Sequence, residues 1–117
     1  MAGSANEVVL YKPWWGAFYQ TPLDEHLCAS GVSTVVFSGC NFPNCPRASV
    51  YEASERDYRI VLVEDAVSGL YDRGKREMVE IGVAVMSSVD VIRKVCPPRR
   101  DTLASTDDAV QAVEADP

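Results

Sequence analysis

The sequence predicts an α/β fold in which helices cover both faces of a parallel sheet. Two observations predict it. Short apolar runs rich in β-branched residues alternate with segments of helical pattern, and each run is too continuous to belong to a strand with one face in water. The chain has 117 residues, of which 47% are hydrophobic and 24% charged, and this composition is typical of one globular domain.

The alternation predicts four strands and three helices. The predicted strands cover residues 7–11, 34–38, 59–63 and 83–87, and the predicted helices cover residues 22–30, 46–56 and 72–81. Thr21 is suited to cap the first helix, which ends at Gly31, and Gly82 follows the third helix as a left-handed stop. Parallel strands joined through helices make right-handed crossovers, so the expected architecture is a layered sheet.

The charge of the chain argues against two classes of partner. With 11 basic and 17 acidic residues its net charge is -6, and such a field repels phosphate backbones and anionic lipids. Its longest apolar stretches, such as residues 60–63, are far shorter than the ~20 residues that cross a bilayer. The first seven residues lack the basic start and apolar run of a secretory signal. The sequence therefore predicts a cytoplasmic protein without nucleic-acid or membrane partners.

The cysteines and the histidine argue against a disulfide framework and a metal centre. Cys28, Cys40, Cys45 and Cys96 are irregularly spaced in a chain large enough to have its own core, so free thiols are expected. There is no C-x-x-C pair, and the only histidine, His26, is isolated. A tetrahedral zinc site is therefore not predicted, nor is any cofactor.

The composition changes after Cys96. The preceding residues, 7–96, are predicted to form the domain. Residues 97–117 are predicted to be a mobile acidic tail with at most a weak helix over residues 104–115. The reason is that the few apolar side chains there, such as Val110 and Val113, bury too little surface to offset the cost of ordering.

The loop after the second predicted strand carries the strongest chemical signal. Ligands of open parallel sheets lie beyond the carboxyl ends of the strands, where residues 39–46 belong. Cys45 precedes Pro46, which suits a first helical position, so its thiol would stand at a helix N-terminus. There the helix dipole favours a thiolate, and backbone N–H groups can bind an oxyanion. From these residues alone, a reactive Cys45 and a buried structural Cys45 stay equally open.

Six further side chains are weighed with Cys45. Lys12 ends the first predicted strand at the same sheet edge and would support a thiolate, although lysines at strand ends are usually solvated. Trp14 and Trp15 would wall a substrate pocket or else form core or dimer contacts. Phe18 and Phe42 are also candidates for substrate contact. Arg47 would bind a substrate carboxylate, or else form a surface salt bridge.

These residues together resemble the isochorismatase-like cysteine hydrolases. The resemblance covers about residues 7–92 and is carried by residues 11–18, 21–23, 39–47, 63–66 and 82–88. It implies a three-layer Rossmann-like sheet, with Lys12 as the catalytic lysine and Cys45 as the nucleophile that forms an acyl-enzyme from an amide carbonyl. It also implies a cis peptide between Cys40 and Asn41, which would aim the Asn41 and Cys45 amides at the oxyanion.

The chain departs from the resembled family at its start. The family's first strand, which ends in the general-base aspartate, and the strand after it have no counterpart here, and neither has the family's metal-binding segment. No metal is therefore predicted. Asp24, Asp57 and Asp65 do not match the base by position. Residues 7–11 would then pair anew with residues 34–38 or stay loosely attached, and the exposed edge favours a dimer.

Two functions follow from this comparison. The first is a cysteine-dependent hydrolase of C–N bonds in small amides or in carbamoyl and ureido compounds. The alternative is a catalytically incompetent remnant that serves as a binding or oligomerisation module, because the base is absent. A gene model that has lost its 5′ portion would also explain the missing strands.

Overall fold

A four-stranded sheet with all neighbours parallel organises the computed structural model, which describes residues 7–95 and the backbone of residues 109–115. The strands are β1 (Val32–Gly39), β2 (Arg59–Val67), β3 (Ala84–Met86) and β4 (Ala109–Ala115), in the spatial order β3-β2-β1-β4. The helices are α1 (Leu23–Ala29), α2 (Cys45–Ser54), α3 (Asp72–Glu80) and α4 (Ser88–Val95). The predicted α/β fold with a parallel sheet is confirmed.

The middle of the sheet is buried on both faces, as the continuous apolar runs predict. Val35, Val36 and Phe37 of β1 are all buried, and their register partners Ile60 and Leu62 in β2 are buried as well. Burial on successive positions is possible only where helices cover both faces of a sheet. The core also contains Val67 at the end of β2 and buried side chains from the helices and loops, namely Phe18, Leu23, Leu27, Phe42, Val50, Ala53, Met78 and Val83.

The helix ends follow the predicted local signals. The Thr21 hydroxyl accepts a hydrogen bond from the N–H of Leu23, the first residue of α1, at 3.3 Å. Gly31 and Gly82 adopt φ values of 72° and 92°, which a residue without a Cβ reaches at little cost. α1, α2 and α3 therefore begin and end within two residues of their predicted bounds.

α4 was not predicted, and a distant carboxylate explains where it begins. Asp65, near the end of β2, accepts hydrogen bonds from the backbone N–H and the hydroxyl of Ser88, both at 2.7 Å. These bonds lower the pKa of Asp65, the hydroxyl bond being the largest cause. The helix has an apolar stripe at Val89, Ile92 and Val95, but all three side chains are exposed.

The structure corrects two predictions about the edge of the sheet. Residues 7–11 form no strand, and the position beside β1 is taken by β4, with Val36 opposite Ala112 and Gly39 opposite Ala115. Residues 109–115 are thus a strand and not the weak helix predicted there, while the mobility of the acidic tail stays a prediction. The prediction for this segment was based on its small number of apolar side chains, whereas pairing at the edge of a sheet depends on backbone hydrogen bonds. Residues 96–108 and 116–117 lie outside the described residues, so the 7–96 domain boundary stays a prediction.

Within the described residues, no helix is both long and apolar enough to cross a membrane. Three of the four cysteines, Cys28, Cys40 and Cys45, are described and are free thiols, as predicted.

Candidate active site

The loop between β1 and α2 is held against the loop that follows β2. Phe42 donates its N–H to the Ser68 carbonyl at 2.7 Å, and Ser68 donates its N–H to the Gly39 carbonyl at 3.1 Å. The Cys40–Asn41 peptide is cis, as the resemblance implied. Hydrogen bonds at Gly39 and Phe42 therefore hold the loop against the segment that follows β2, and the loop then leads into Cys45.

Cys45 is the first residue of α2, and Pro46 follows it as predicted. The residue is 2% exposed, so substrate access to its sulfur requires neighbouring groups to move. Lys12 Nζ lies 3.3 Å from Cys45 Sγ. The structure thus brings together the two side chains that the sequence singled out, at the carboxyl edge of the sheet.

The Lys12 ammonium is held by a small ring of acceptors. Besides Cys45 Sγ, it donates to the Trp14 carbonyl at 3.0 Å and makes a longer contact of 3.4 Å with the Trp15 carbonyl. An ammonium has three protons to donate, and three acceptors surround this one. Lys12 is therefore not the freely solvated lysine of the alternative interpretation.

Two α2 side chains that the sequence reasoning missed hold the segment after Lys12. Ser49 Oγ accepts the N–H of Ala17 at 2.9 Å, and Glu52 Oε1 accepts the N–H of Phe18 at 2.8 Å. Ser49 and Glu52 follow Cys45 by four and seven positions, a spacing that puts all three on one helix face. That spacing was the signal in the sequence that could have found them.

The predicted substrate-contacting aromatic residues separate into two groups. Trp14 and Trp15 are 61% and 59% exposed beside the Lys12 ammonium, so they remain candidates. Phe18 and Phe42 are both buried in the hydrophobic core, and their contact with substrate stays a prediction. Phe42 packs edge-on against Tyr71 and so supports the loop from inside.

Arg47 forms the salt bridge of the alternative interpretation. Its Nη1 lies 3.0 Å from Glu77 Oε1, and its guanidinium lies 5.4 Å from the centre of the Tyr51 ring. The Arg47 bond is the largest cause that lowers the pKa of Glu77, and Arg73 adds a second bond at 3.0 Å. The guanidinium is thus engaged within the chain, and its contact with a substrate carboxylate stays a prediction.

The described residues supply no carboxylate to the Lys12–Cys45 pair. Within residues 7–95, neither Lys12 Nζ nor Cys45 Sγ is hydrogen-bonded to an aspartate or glutamate. The same span contains no cluster of three or more histidine, cysteine, aspartate or glutamate side chains able to hold a metal ion. Asp65 is instead bonded to Ser88 at the start of α4.

A family model described as the isochorismatase domain matches residues 1–93. The chain belongs to the isochorismatase family. The matched range contains Lys12, the cis peptide and Cys45, so the geometry described above lies entirely within the isochorismatase domain.

Curated relatives of this isochorismatase-family chain include two amidohydrolases. It is 42% identical over 67 residues to maleamate amidohydrolase of Pseudomonas putida, which is 57% of this chain and 32% of that protein. It is 37% identical over 61 residues to ureidoacrylate amidohydrolase RutB of Methylobacterium radiotolerans, which is 52% of this chain and 24% of that protein. The matched segments span a third or less of these relatives.

A solved structure in the same family shares the fold. The N-carbamoylsarcosine amidase of Thermoplasma acidophilum matches with a TM-score of 0.70 and 39% identity, over 74% of this chain and 51% of that one. The chain therefore contains about half of the fold of that structure.

Proposed function

We propose that this chain carries the nucleophile and its lysine for a hydrolase of C–N bonds in small amides or in carbamoyl and ureido compounds. The single observation that carries the proposal is the 3.3 Å contact between Lys12 Nζ and Cys45 Sγ at the start of α2. A positive charge and a helix N-terminus both stabilise a thiolate. The names of the relatives, two amidohydrolases and an amidase, support the same class of substrate.

The proposed reaction has two halves. Cys45 Sγ gives up its proton and attacks the carbonyl carbon, and the C–N bond breaks as the nitrogen takes up that proton and leaves as ammonia or an amine. Water then attacks the thioester carbon, the C–S bond breaks, and the acid leaves with the thiol restored. The Lys12 ammonium stabilises negative charge first on sulfur and then on the tetrahedral oxyanion.

The oxyanion is proposed to bind the backbone N–H groups of Asn41 and Cys45. In the part of the chain that the structure describes, neither N–H donates a hydrogen bond to another residue. Both flank the turn from the cis peptide to the first residue of α2. Two unused donors on one short loop are what an oxyanion hole requires.

The general base is the part of the mechanism that residues 7–95 do not supply. β4 runs parallel to β1 with Ala115 opposite Gly39, so the two strands end at the same edge of the sheet as the nucleophile loop. In the sequence, Glu114 belongs to β4 and Asp116 follows Ala115. Glu114→Gln and Asp116→Asn are therefore the substitutions that test whether the chain provides its own base.

The test is ammonia release by the full chain from maleamate, ureidoacrylate and N-carbamoylsarcosine, each assayed separately. We expect release from at least one of them, abolished in Cys45→Ala and strongly reduced in Lys12→Met. Cys28→Ala is the matched control, because Cys28 is an exposed free thiol on α1. Turnover that survives in Cys45→Ala would overturn the proposal, and so would the absence of turnover together with the absence of a Cys45 thioester by mass spectrometry.

A second candidate function is a binding or oligomerisation module without turnover. The missing carboxylate near Cys45 and Lys12 within residues 7–95 favours it, as do the exposed Val89, Ile92 and Val95 of α4. Ammonia release that depends on Cys45 would exclude it. A dimer is expected under both candidate functions. Size-exclusion chromatography coupled to light scattering tests for the dimer directly.

A further inference from the structure

One face of α2 binds the chain segment that carries Lys12. Cys45, Ser49 and Glu52 lie on this face, and their partners in the segment are Lys12, Ala17 and Phe18, in the same order along the chain. The segment therefore runs alongside the helix in the direction of the helix. Two of the three contacts are made by backbone N–H groups, which hold the main chain in place whatever the side chains there are.

The contact at Glu52 is close packed. Gly16 is buried, and a Cβ added to it would collide with the Glu52 carboxylate. Ser49 is fully buried, so its hydroxyl is an interior acceptor for Ala17. The main chain of residues 16–18 thus lies in direct contact with the Ser49 and Glu52 side chains of α2.

The other side of the same main chain is also secured. The Thr21 hydroxyl donates to the Ala17 carbonyl at 2.6 Å, and the N–H of Thr21 donates to the Phe18 carbonyl at 3.2 Å. The Phe18 ring lies in the core, with the Arg56 guanidinium 5.0 Å from its centre. Residues 17 and 18 are therefore fixed through donors, acceptors and a buried ring, only five and six positions after Lys12.

We propose that Ser49 and Glu52 are positioning residues that hold the Lys12 ammonium beside Cys45. The inference rests on the proposed function, since it concerns how the same thiolate is stabilised. Glu52 does not act on the reacting atoms itself. Seven helical residues separate it from Cys45, about 10 Å along the axis, and its Oε1 is bonded to Phe18.

The readout is the ultraviolet absorbance of the Cys45 thiolate at neutral pH, taken as the difference from Cys45→Ala. It reports an equilibrium charge state and needs neither substrate nor a general base. We expect Lys12→Met to remove most of this signal and Glu52→Ala to remove a large part of it. Glu52→Gln should retain the signal, because the amide oxygen still accepts the Phe18 N–H. For the same reason Ser49→Thr should retain more of it than Ser49→Ala.

A double-mutant cycle separates positioning from general loosening. If Glu52 acts through Lys12, Glu52→Ala has no further effect on the signal in the Lys12→Met background. If Glu52→Ala still lowers the thiolate absorbance in the Lys12→Met background, the inference is overturned. It is also overturned if Lys12→Met loses the absorbance while folded Glu52→Ala keeps all of it. Should Glu52→Ala fail to unfold cooperatively in urea, Ser49→Ala carries the same cycle.

The Lys12→Met variant separates failure of the proposed function from failure of the positioning role. If Lys12→Met leaves the signal unchanged, the role of Lys12 in the proposed function is overturned together with the inference. If Lys12→Met lowers the signal and the α2 variants do not, only the positioning role is overturned.

Discussion

Lys12 Nζ and Cys45 Sγ lie 3.3 Å apart although 33 positions separate the two residues in the chain. The ammonium reaches the sulfur from an irregular segment, and the sulfur is held at the first residue of a helix. A pair built from two such elements depends on everything that fixes the segment to the helix. The predictions below test the pair, its support and the fold around it.

Cys45 should react with iodoacetamide faster than Cys28, although Cys45 is 2% exposed and Cys28 lies at the surface. The reason is that the reacting species is the thiolate, which a neighbouring ammonium stabilises. Peptide mass spectrometry over a time course measures both rates in one sample. A Cys45 rate at or below the Cys28 rate would remove the activated thiol.

Lys12→Met should slow the alkylation of Cys45 about tenfold, since a hydrogen bond to a charged group is worth about 1.5–3 kcal/mol. Methionine keeps much of the side-chain volume and removes the charge. The Cys28 rate in the same digest is the internal control and should not change. Equal Cys45 rates in the two proteins would contradict an electrostatic role for Lys12.

Phe42→Ala and Trp14→Ala should differ in their effects on the free energy of unfolding. Phe42 is fully buried, so its truncation should lower the free energy of unfolding by about 3–5 kcal/mol. Trp14 is 61% exposed, and its truncation should change that free energy by no more than about 0.5 kcal/mol. Urea unfolding measures both. If turnover is detected, Trp14→Ala should raise KM more than it lowers kcat, because the side chain is proposed to contact substrate and not the reacting atoms.

Gly74→Ala should destabilise the protein by about 1–3 kcal/mol through overpacking. Gly74 is buried in α3, and an added Cβ would lie 2.7 Å from the Phe42 ring and 3.1 Å from the Tyr71 ring. The substitution also presses on the nucleophile loop, so it should alter the Cys45 alkylation rate. Arg76→Ala, at an exposed position of the same helix, is the matched control and should leave both measurements near the wild-type values.

Asp65→Ala should change how stability depends on pH. The folded-state pKa of Asp65 is lowered, so its contribution is present above the unfolded-state value of about 3.9 and is lost as pH falls through the lower folded value. The wild type should therefore be more stable than Asp65→Ala at neutral pH, and the difference should shrink in acid. Urea unfolding followed by circular dichroism at several pH values measures it. A difference that is independent of pH would contradict the role of the carboxylate charge.

Local composition was enough to predict the repeating part of the fold. β1, β2 and β3 were predicted because continuous apolar runs are typical of strands in a parallel sheet. α1 and α3 were predicted with stops at Gly31 and Gly82, which adopt positive φ, and α2 with Pro46 at its first turn. The apolar pattern also predicted a strand over residues 7–11, and this prediction is wrong because these residues form no strand. The pattern did not predict α4, whose first turn is capped by Asp65, a residue 23 positions earlier in the chain.

The sequence by itself determined that a cysteine followed by proline stands where a buried strand turns into a helix. It also carried enough motif to indicate the family. These are properties of short segments, which propensity and spacing express directly.

Only the tertiary structure decided which groups meet. It closed the distance between Lys12 and Cys45, engaged Arg47 with Glu77, buried Phe18 and Phe42, and placed β4 beside β1. Each of these contacts joins residues that are far apart in the chain, so its formation depends on how the whole core packs and on the competition among partners. No window of sequence contains that information, because the free energy that selects one partner over another arises only when the surfaces are buried together.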